Sequence, residues 1–252
     1  MTAMSERQRE ERLASAFVDL AAPLVREVSV PDALRALTDH CVDLLEVSAA
    51  GVMLDGPRGP RGHAVQVAAS DEYTRSLELF GLEWDEGPLL DCRRSRAHVR
   101  EFRLETEPAC TRWPRFTPRA LLLGFTSVAT VPLRSQDTVV GALSLLHDRP
   151  TPLDDTRLRL AQALADTATA CVTRQQTLHE QRTQIAQLQD ALESRVLIEQ
   201  AKGFLASSRG CSADQAFVRM RTYARNRRLK LSDVARQVLN GGAADTLLRP
   251  ER

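Results

Sequence analysis

The sequence predicts an α+β domain with an antiparallel sheet and helices, then a coiled-coil linker, then a C-terminal all-α bundle of three helices. Three observations lead there. Helical periods flank two pairs of β-prone runs over the first two thirds of the chain. After Gln175 the apolar spacing narrows to a seven-residue repeat. Charge is also divided: from Arg182 onward thirteen Lys/Arg face seven Asp/Glu, while the rest carries 21 basic and 26 acidic residues, within a net charge of +1 over 252 residues. The basic tail is the part suited to a polyanion.

From Glu6 to Glu27 the residues Leu13, Phe17, Leu20, Ala21 and Leu24 keep a helical period. Pro31 opens a second helix, Asp32 to Leu45, because a first-turn N–H has no helical partner to lose. Ala49 to Leu54 and His63 to Ala69 read as hairpin strands around a Gly/Pro-rich turn from Asp55 to Gly62. Glu72 to Phe80 is a short helix. Gly81 to Thr117 shows little regular pattern beyond a short strand near Ala97–Arg100, and Pro118 to Leu123 is helical. A second hairpin, Ser127–Leu133 with Val139–Leu146, turns over Arg134–Asp137, and Leu153 to Gln176 closes the region as a helix. The order fits a sheet with helices on one side, expected over residues 1–173.

Leu178, Ile185 and Leu192 recur every seven residues with Leu188 between them, over a linker set at 174–191. So narrow a stripe predicts a coiled-coil seam and a homodimer; a single helix packed on its own domain is the other reading. Residues 192–245 hold the three short helices. The first stops at Ser207–Gly210, a C-cap signal. Ser212 caps the second, with Gln215 as capping-box partner, and its core side is Ala213, Ala216, Phe217, Met220 and Ala224. Ser232 caps the third, with Val234, Ala235, Val238 and Leu239 inward.

On the second of these helices Arg221, Arg225 and Arg228 fall within an arc of about 60°. Six basic residues lie between Arg219 and Lys230 with no acid among them. A solvated basic face is the ordinary explanation of such a run, but salt-bridge lacing would have interleaved Glu, so polyanion binding is the stronger reading.

These residues resemble the ANTAR family: Arg195, the run Ile198-Glu-Gln-Ala-Lys-Gly203, Ala216-Phe217, Arg221, Ala224, and Leu231 with Asp233-Val-Ala235. The resemblance implies a transcription antiterminator that binds paired RNA stem-loops, usually as a dimer. It points to Arg195, Gln200, Ala201, Lys202, Gly203, Arg221, Arg225 and Arg228 as the RNA-binding set. Ala201 and Gly203 are expected to let a phosphate or an unstacked base approach the helix beside Lys202, one of two lysines in the chain. Leu205-Ala206 departs from the family's usual bulkier Met after the Leu, a change expected to affect packing and not RNA contact.

The front region is similar to a GAF domain in the phrases "DALRALTDHCVDLLEVSAAGVMLDG", "WDEGPLLDC", "LGFTSVATVPLR" and "VVGALSLLHDRP", in that family's order. The arrangement as a whole resembles actinobacterial-type GAF–ANTAR regulators. A sensor for an unidentified small ligand or partner protein is implied, with pure dimerisation also open. The cyclic-nucleotide motif Asn-Lys-Phe-Asp is absent. Cys92 and Cys110 stand in the loop-rich stretch where a haem or bilin pocket would form, without a supporting motif.

His40, His63, His98, His147 and His179 show no metal-ligand spacing, and no P-loop or dinucleotide glycine pattern occurs. The expectation is therefore a non-enzyme with no metal and no cofactor. Five scattered cysteines, a polar start and no long apolar run indicate reduced thiols, no membrane insertion and a cytoplasmic protein. The alternatives are a DNA-binding transcription factor using the same helices, or a cofactor-bearing redox or light sensor.

Overall fold

The computed structural model describes residues 6–59, 62–149 and 153–241. They form two compact units, Met1–Thr177 and Leu178–Arg252.

In the first unit, helix α1 (Glu6–Ala21) passes through a 3-10 turn (Ala22–Leu24) to α2 (Val30–Leu45). The 3-10 turn ends α1 earlier than the apolar period suggests, because Pro23 cannot donate within an α-helix. Ser29 caps α2 by accepting from the Asp32 N–H, with Pro31 in the first turn. Strands β1 (Ala49–Gly59) and β2 (Gly62–Ala69) make a longer hairpin than the sequence suggests. The Gly56-Pro57 pair expected to end β1 instead sits at a register shift between Asp55 and Arg58, where a bulge tolerates proline.

Then follow α3 (Glu72–Trp84), α4 (Pro88–Ser95), β3 (Val99–Arg103), α5 (Glu107–Arg112) and α6 (Phe116–Leu122). Strands β4 (Ser127–Ser135) and β5 (Thr138–His147) complete an antiparallel sheet of order β2-β1-β5-β4-β3. Helix α7 begins at Asp155 and runs 55 residues to Arg209.

Helices cover both faces of this sheet, not one. Ala50, Val52, Leu54, Val131, Leu133, Leu143 and Leu145 pack against α1, α2 and the first turns of α7. The alternate positions face the other way. Ala49, Val128 and Leu146 meet Leu77, Trp113, Phe116 and Ala120, and Met53 and Ala142 meet Leu89, Leu90 and Cys92. The reason is visible in β5, where successive residues from Ala142 to Leu146 are buried whichever way they point, as in a strand covered on both sides. Cys92 and Cys110 therefore lie on α4 and α5, the first buried and the second exposed, rather than in a loop.

The second unit contains the remainder of α7, then α8 (Ala213–Arg227) and α9 (Leu231–Leu239). Its core is Ala201 and Leu205 from α7, Ala216, Met220 and Ala224 from α8, and Val234, Ala235 and Val238 from α9. Leu197, Ile198, Tyr223, Leu231 and Leu239 pack around it.

Candidate nucleic-acid interface

Helix α7 stops where a left-handed residue is required: Gly210 has φ +63°, and the Cys211 N–H reaches back to the Ala206 carbonyl at 3.2 Å. Ser212 then starts α8 with a full capping box. Its Oγ accepts from the Gln215 N–H at 3.2 Å, while its own N–H donates to Gln215 Oε1 at 3.1 Å. Ala216, Met220 and Ala224, four residues apart, form the buried stripe. Ala213 was expected in that stripe and is exposed, since it lies in the first turn before the bundle closes over the helix.

Arg221 and Arg225 each follow a buried residue by one position, so both stand exposed on the flank of the core stripe. Arg228 leaves their row. It is the C-cap of α8 in the left-handed conformation, φ 54°, its N–H turned to the Arg225 carbonyl at 3.3 Å, so the helical arc ends one residue before it. Arg227 lies with its guanidinium 4.8 Å from the Tyr223 ring centroid. None of Arg219, Arg221, Arg225, Arg227, Arg228 or Lys230 forms an ion pair with a described acidic side chain; the ion pairs among the described residues of this unit are Lys202–Glu199 and Arg236–Asp233. The charge of α8 and the following turn is thus uncompensated by the described residues.

Helix α9 starts two residues earlier than expected. Lys230 occupies the N-cap without a side-chain cap, and Leu231 is the first helical residue because it packs on the core. Ser232 falls inside the first turn, beside Asp233, whose carboxylate suits the helix N-terminus and holds Arg236 at 3.4 Å.

The residues taken from α7 separate into three groups. Ala201 is fully buried in the bundle core, so it is unable to touch RNA; its small side chain is what lets α8 and α9 pack close. Arg195, Gln200 and Gly203 are exposed, and a Cβ added at Gly203 would meet nothing within 4 Å. Lys202 is tied down. Its Nζ lies 3.0 and 3.1 Å from the two Glu199 carboxylate oxygens and 5.5 Å from the Phe217 ring centroid. Phe217 sits half-buried beneath that ammonium rather than in the core cluster. Glu199 and Phe217 were not singled out as functional from sequence, though the i,i+3 spacing of Glu199 and Lys202 was there to be read.

Leu178, Ile185, Leu188 and Leu192, the expected dimer seam, are 37 to 71% exposed along α7. In the first unit one group stands out chemically. Glu78 on α3 is 2% exposed, and its Oε1 lies 2.5 Å from Ser144 Oγ, which also reaches the Gly51 carbonyl at 3.2 Å. One hydroxyl proton cannot serve both acceptors, so a protonated Glu78 that donates to Ser144 satisfies the whole cluster. Burial pushes the Glu78 carboxyl up to about 7, partly opposed by the Ser144 hydrogen bond. Burial likewise raises the Cys41 and Cys92 thiols, which suits packing and not reactivity.

Among the described residues, no helix is long and apolar enough to cross a membrane. The GAF domain model matches residues 27–173 and the ANTAR domain model residues 186–239. Among curated proteins none matches the chain. Solved structures share the fold of the first unit. The GAF domain of an Acinetobacter phosphoenolpyruvate-protein phosphotransferase is 15% identical, covering 70% of this chain and 99% of its own, with a TM-score of 0.48. The phycoerythrobilin-bound GAF domain of a cyanobacterial phytochrome is 17% identical, covering 71% and 100%, with a TM-score of 0.48. Bacteriophytochrome RpBphP3 from R. palustris is 10% identical, covering 79% of this chain and 44% of its own, with a TM-score of 0.50. With more than half its length matched by the GAF model and the three-helix segment by the ANTAR model, the chain belongs to the GAF-domain family and is a GAF–ANTAR protein.

Proposed function

We propose that this protein is a cytoplasmic RNA-binding regulator of transcription antitermination, a homodimer without catalytic turnover, whose GAF domain senses a small ligand or a partner protein. The observation that carries the reading is the α8 arginine row: Arg221 and Arg225 exposed beside the core stripe, with Arg219 and Arg227 on other faces of the helix, Arg228 and Lys230 in the turn after it, and no described acid pairing with any. Planar guanidiniums offer bidentate contacts to phosphate and flat faces for stacking on unpaired bases. Stem-loops suit such a surface because loop bases are accessible, while the deep major groove of paired RNA is not.

A DNA-reading helix-turn-helix finds less support. The helix that would enter the groove is α9, nine residues long, and its only arginine is held by Asp233. Arg195 and Gln200 sit exposed on α7 and extend the candidate surface; Lys202 contributes only if its ammonium exchanges Glu199 for a phosphate.

Crosslinking in cells followed by sequencing of the attached nucleic acid tests this reading. Stem-loop RNA should be recovered by the wild type and lost with Arg221→Ala/Arg225→Ala. Recovery of duplex DNA, or RNA recovery indifferent to that double substitution, would contradict it.

A further inference from the structure

A cavity of the first unit is built from two distant parts of the chain. Its volume is about 260 Å³, and it is lined by His98, in the loop between α4 and β3, and by Asp155, Leu158, Arg159 and Gln162 from the first turns of α7. At 100° per residue the four α7 positions fall within an arc of about 100°, so a single helix face forms that wall. The volume lies below the roughly 300–1,000 Å³ that holds a drug-sized molecule, which limits an occupant to a few heavy atoms.

The wall has a definite chemistry. Among the described residues the exposed Arg159 guanidinium bonds only Thr156 Oγ1, at 3.2 Å, so most of its donor fork stays open to an anion. Asp155 sets a negative charge one turn before it, which opposes a phosphate or a dicarboxylate and leaves a single carboxylate as the fitting anion. Gln162 Nε2 donates to the Pro132 carbonyl at 3.0 Å and to Asp166 Oδ1 at 2.7 Å. Both partners are acceptors, so the amide cannot flip, and Gln162 Oε1 is buried with no donor among the described residues. A buried acceptor left without a donor is costly. Half-buried Leu158 adds an apolar contact.

We propose that this cavity binds a small aliphatic monocarboxylate with an N–H or O–H on the carbon beside the acid group, the chemistry shared by α-amino and α-hydroxy acids. Arg159 takes the carboxylate, Gln162 Oε1 accepts from the neighbouring N–H or O–H, and the aliphatic body lies on Leu158. Arg159 and Gln162 are three residues apart, and at that spacing Cβ atoms stand about 5–6 Å from each other, close enough to serve two groups on adjacent atoms. The inference rests on the sensor reading for its purpose. Helix α7, which supplies the wall, runs unbroken to Arg209 and contributes Ala201 and Leu205 to the second core, so the occupant acts on an element that both units share.

Thermal unfolding of the full chain, followed by the fluorescence of Trp84 and Trp113 in the first unit, tests this with four probes of one carbon skeleton. They are leucine, leucic acid, isocaproate, which lacks the donor, and leucinamide, which lacks the carboxylate. A ligand that binds only the folded chain raises the midpoint with its concentration. Leucine or leucic acid should do so at millimolar concentration, and which of them does tells the amine from the hydroxyl. Isocaproate and leucinamide should bind at least about tenfold more weakly, and Arg159→Gln, an exposed substitution that keeps the Gln162 bonds, should abolish the shift. No shift with either donor-bearing acid, equal shifts with all four probes, or a shift that survives Arg159→Gln would overturn the site. RNA hairpin affinity with and without the bound acid separates the two readings. Binding that leaves that affinity unchanged would keep the site and remove the sensor reading, whereas no binding would remove the site alone.

Discussion

Replacing Glu78 with Gln should flatten the pH dependence of the GAF unit's stability between about pH 4.5 and 7. Glu78 is enclosed by α3 and the sheet, with Ser144 as side-chain partner and Gly51 so close that an added Cβ would fall 2.8 Å from the carboxylate. Its carboxyl is raised from an ordinary 4.5 to about 7. Within that window the folded chain keeps a proton that the unfolded chain gives up. The stabilising contribution is complete below pH 4.5, declines as pH rises, and levels off once the folded form also ionises, above pH 7. The gap between the two values amounts to roughly 3 kcal/mol at 1.36 kcal/mol per pH unit. Glutamine has the same shape, never ionises, and its amide can donate to Ser144. Both tryptophans, Trp84 and Trp113, lie in the first unit, so urea unfolding followed by tryptophan fluorescence reports this unit alone. From pH 4.5 to 8 the wild type should lose roughly 3 kcal/mol more than Glu78→Gln, since the other titrating groups are common to both. Equal pH dependence in the two proteins would show that Glu78 is solvated or already ionised in the fold, and would refute the reasoning.

Leu188→Glu, which places a carboxylate in the α7 seam, should shift the protein toward monomer in analytical ultracentrifugation, and an unchanged mass would remove the seam as the dimer contact. Ala201→Leu should lower the thermal stability of the second unit, followed by circular dichroism, by about 1–3 kcal/mol through overpacking; a neutral result would place Ala201 at the surface after all. Lys202→Met should cost that unit about 1 kcal/mol or less, from a half-exposed ion pair and one ring contact, and should change RNA affinity less than Arg221→Ala does. A larger affinity loss at Lys202 would identify it as a direct phosphate contact.

Much of this architecture is legible in sequence because local chemistry and global packing agree. The β4–β5 hairpin, the Ser212/Gln215 capping box and the Ser207–Gly210 stop all carry their own signals. The stretch from Gly81 to Thr117 does not, because distant side chains hold it. Glu86 Oε1 accepts from the N–H groups of Arg115 and Phe116 at 2.6 Å, and Asp91 Oδ2 takes Arg112 Nε at 2.6 Å and Trp113 Nε1 at 3.0 Å. Helices α4 and α5 depend on these contacts more than on periodicity, so their short sequences look irregular. At the candidate site, composition identified the arginine-rich helix, but a six-residue phrase gives no direction to its side chains. Ala201, Lys202 and Gly203 are adjacent in sequence, yet one enters the core, one is held by Glu199, and one faces open space, because each residue turns the helix by 100°.

The most direct test of the central claim is a salt titration of wild type, Arg221→Ala and Arg225→Ala against an RNA hairpin and a DNA duplex of matched length. The account predicts tighter binding to the hairpin, affinity falling as salt rises, a loss of about 1–3 kcal/mol for each substitution and a shallower salt slope in both variants. Equal affinity for the two nucleic acids, or variants indistinguishable from wild type, would show that the α8 arginines are a solvated face and not a binding surface.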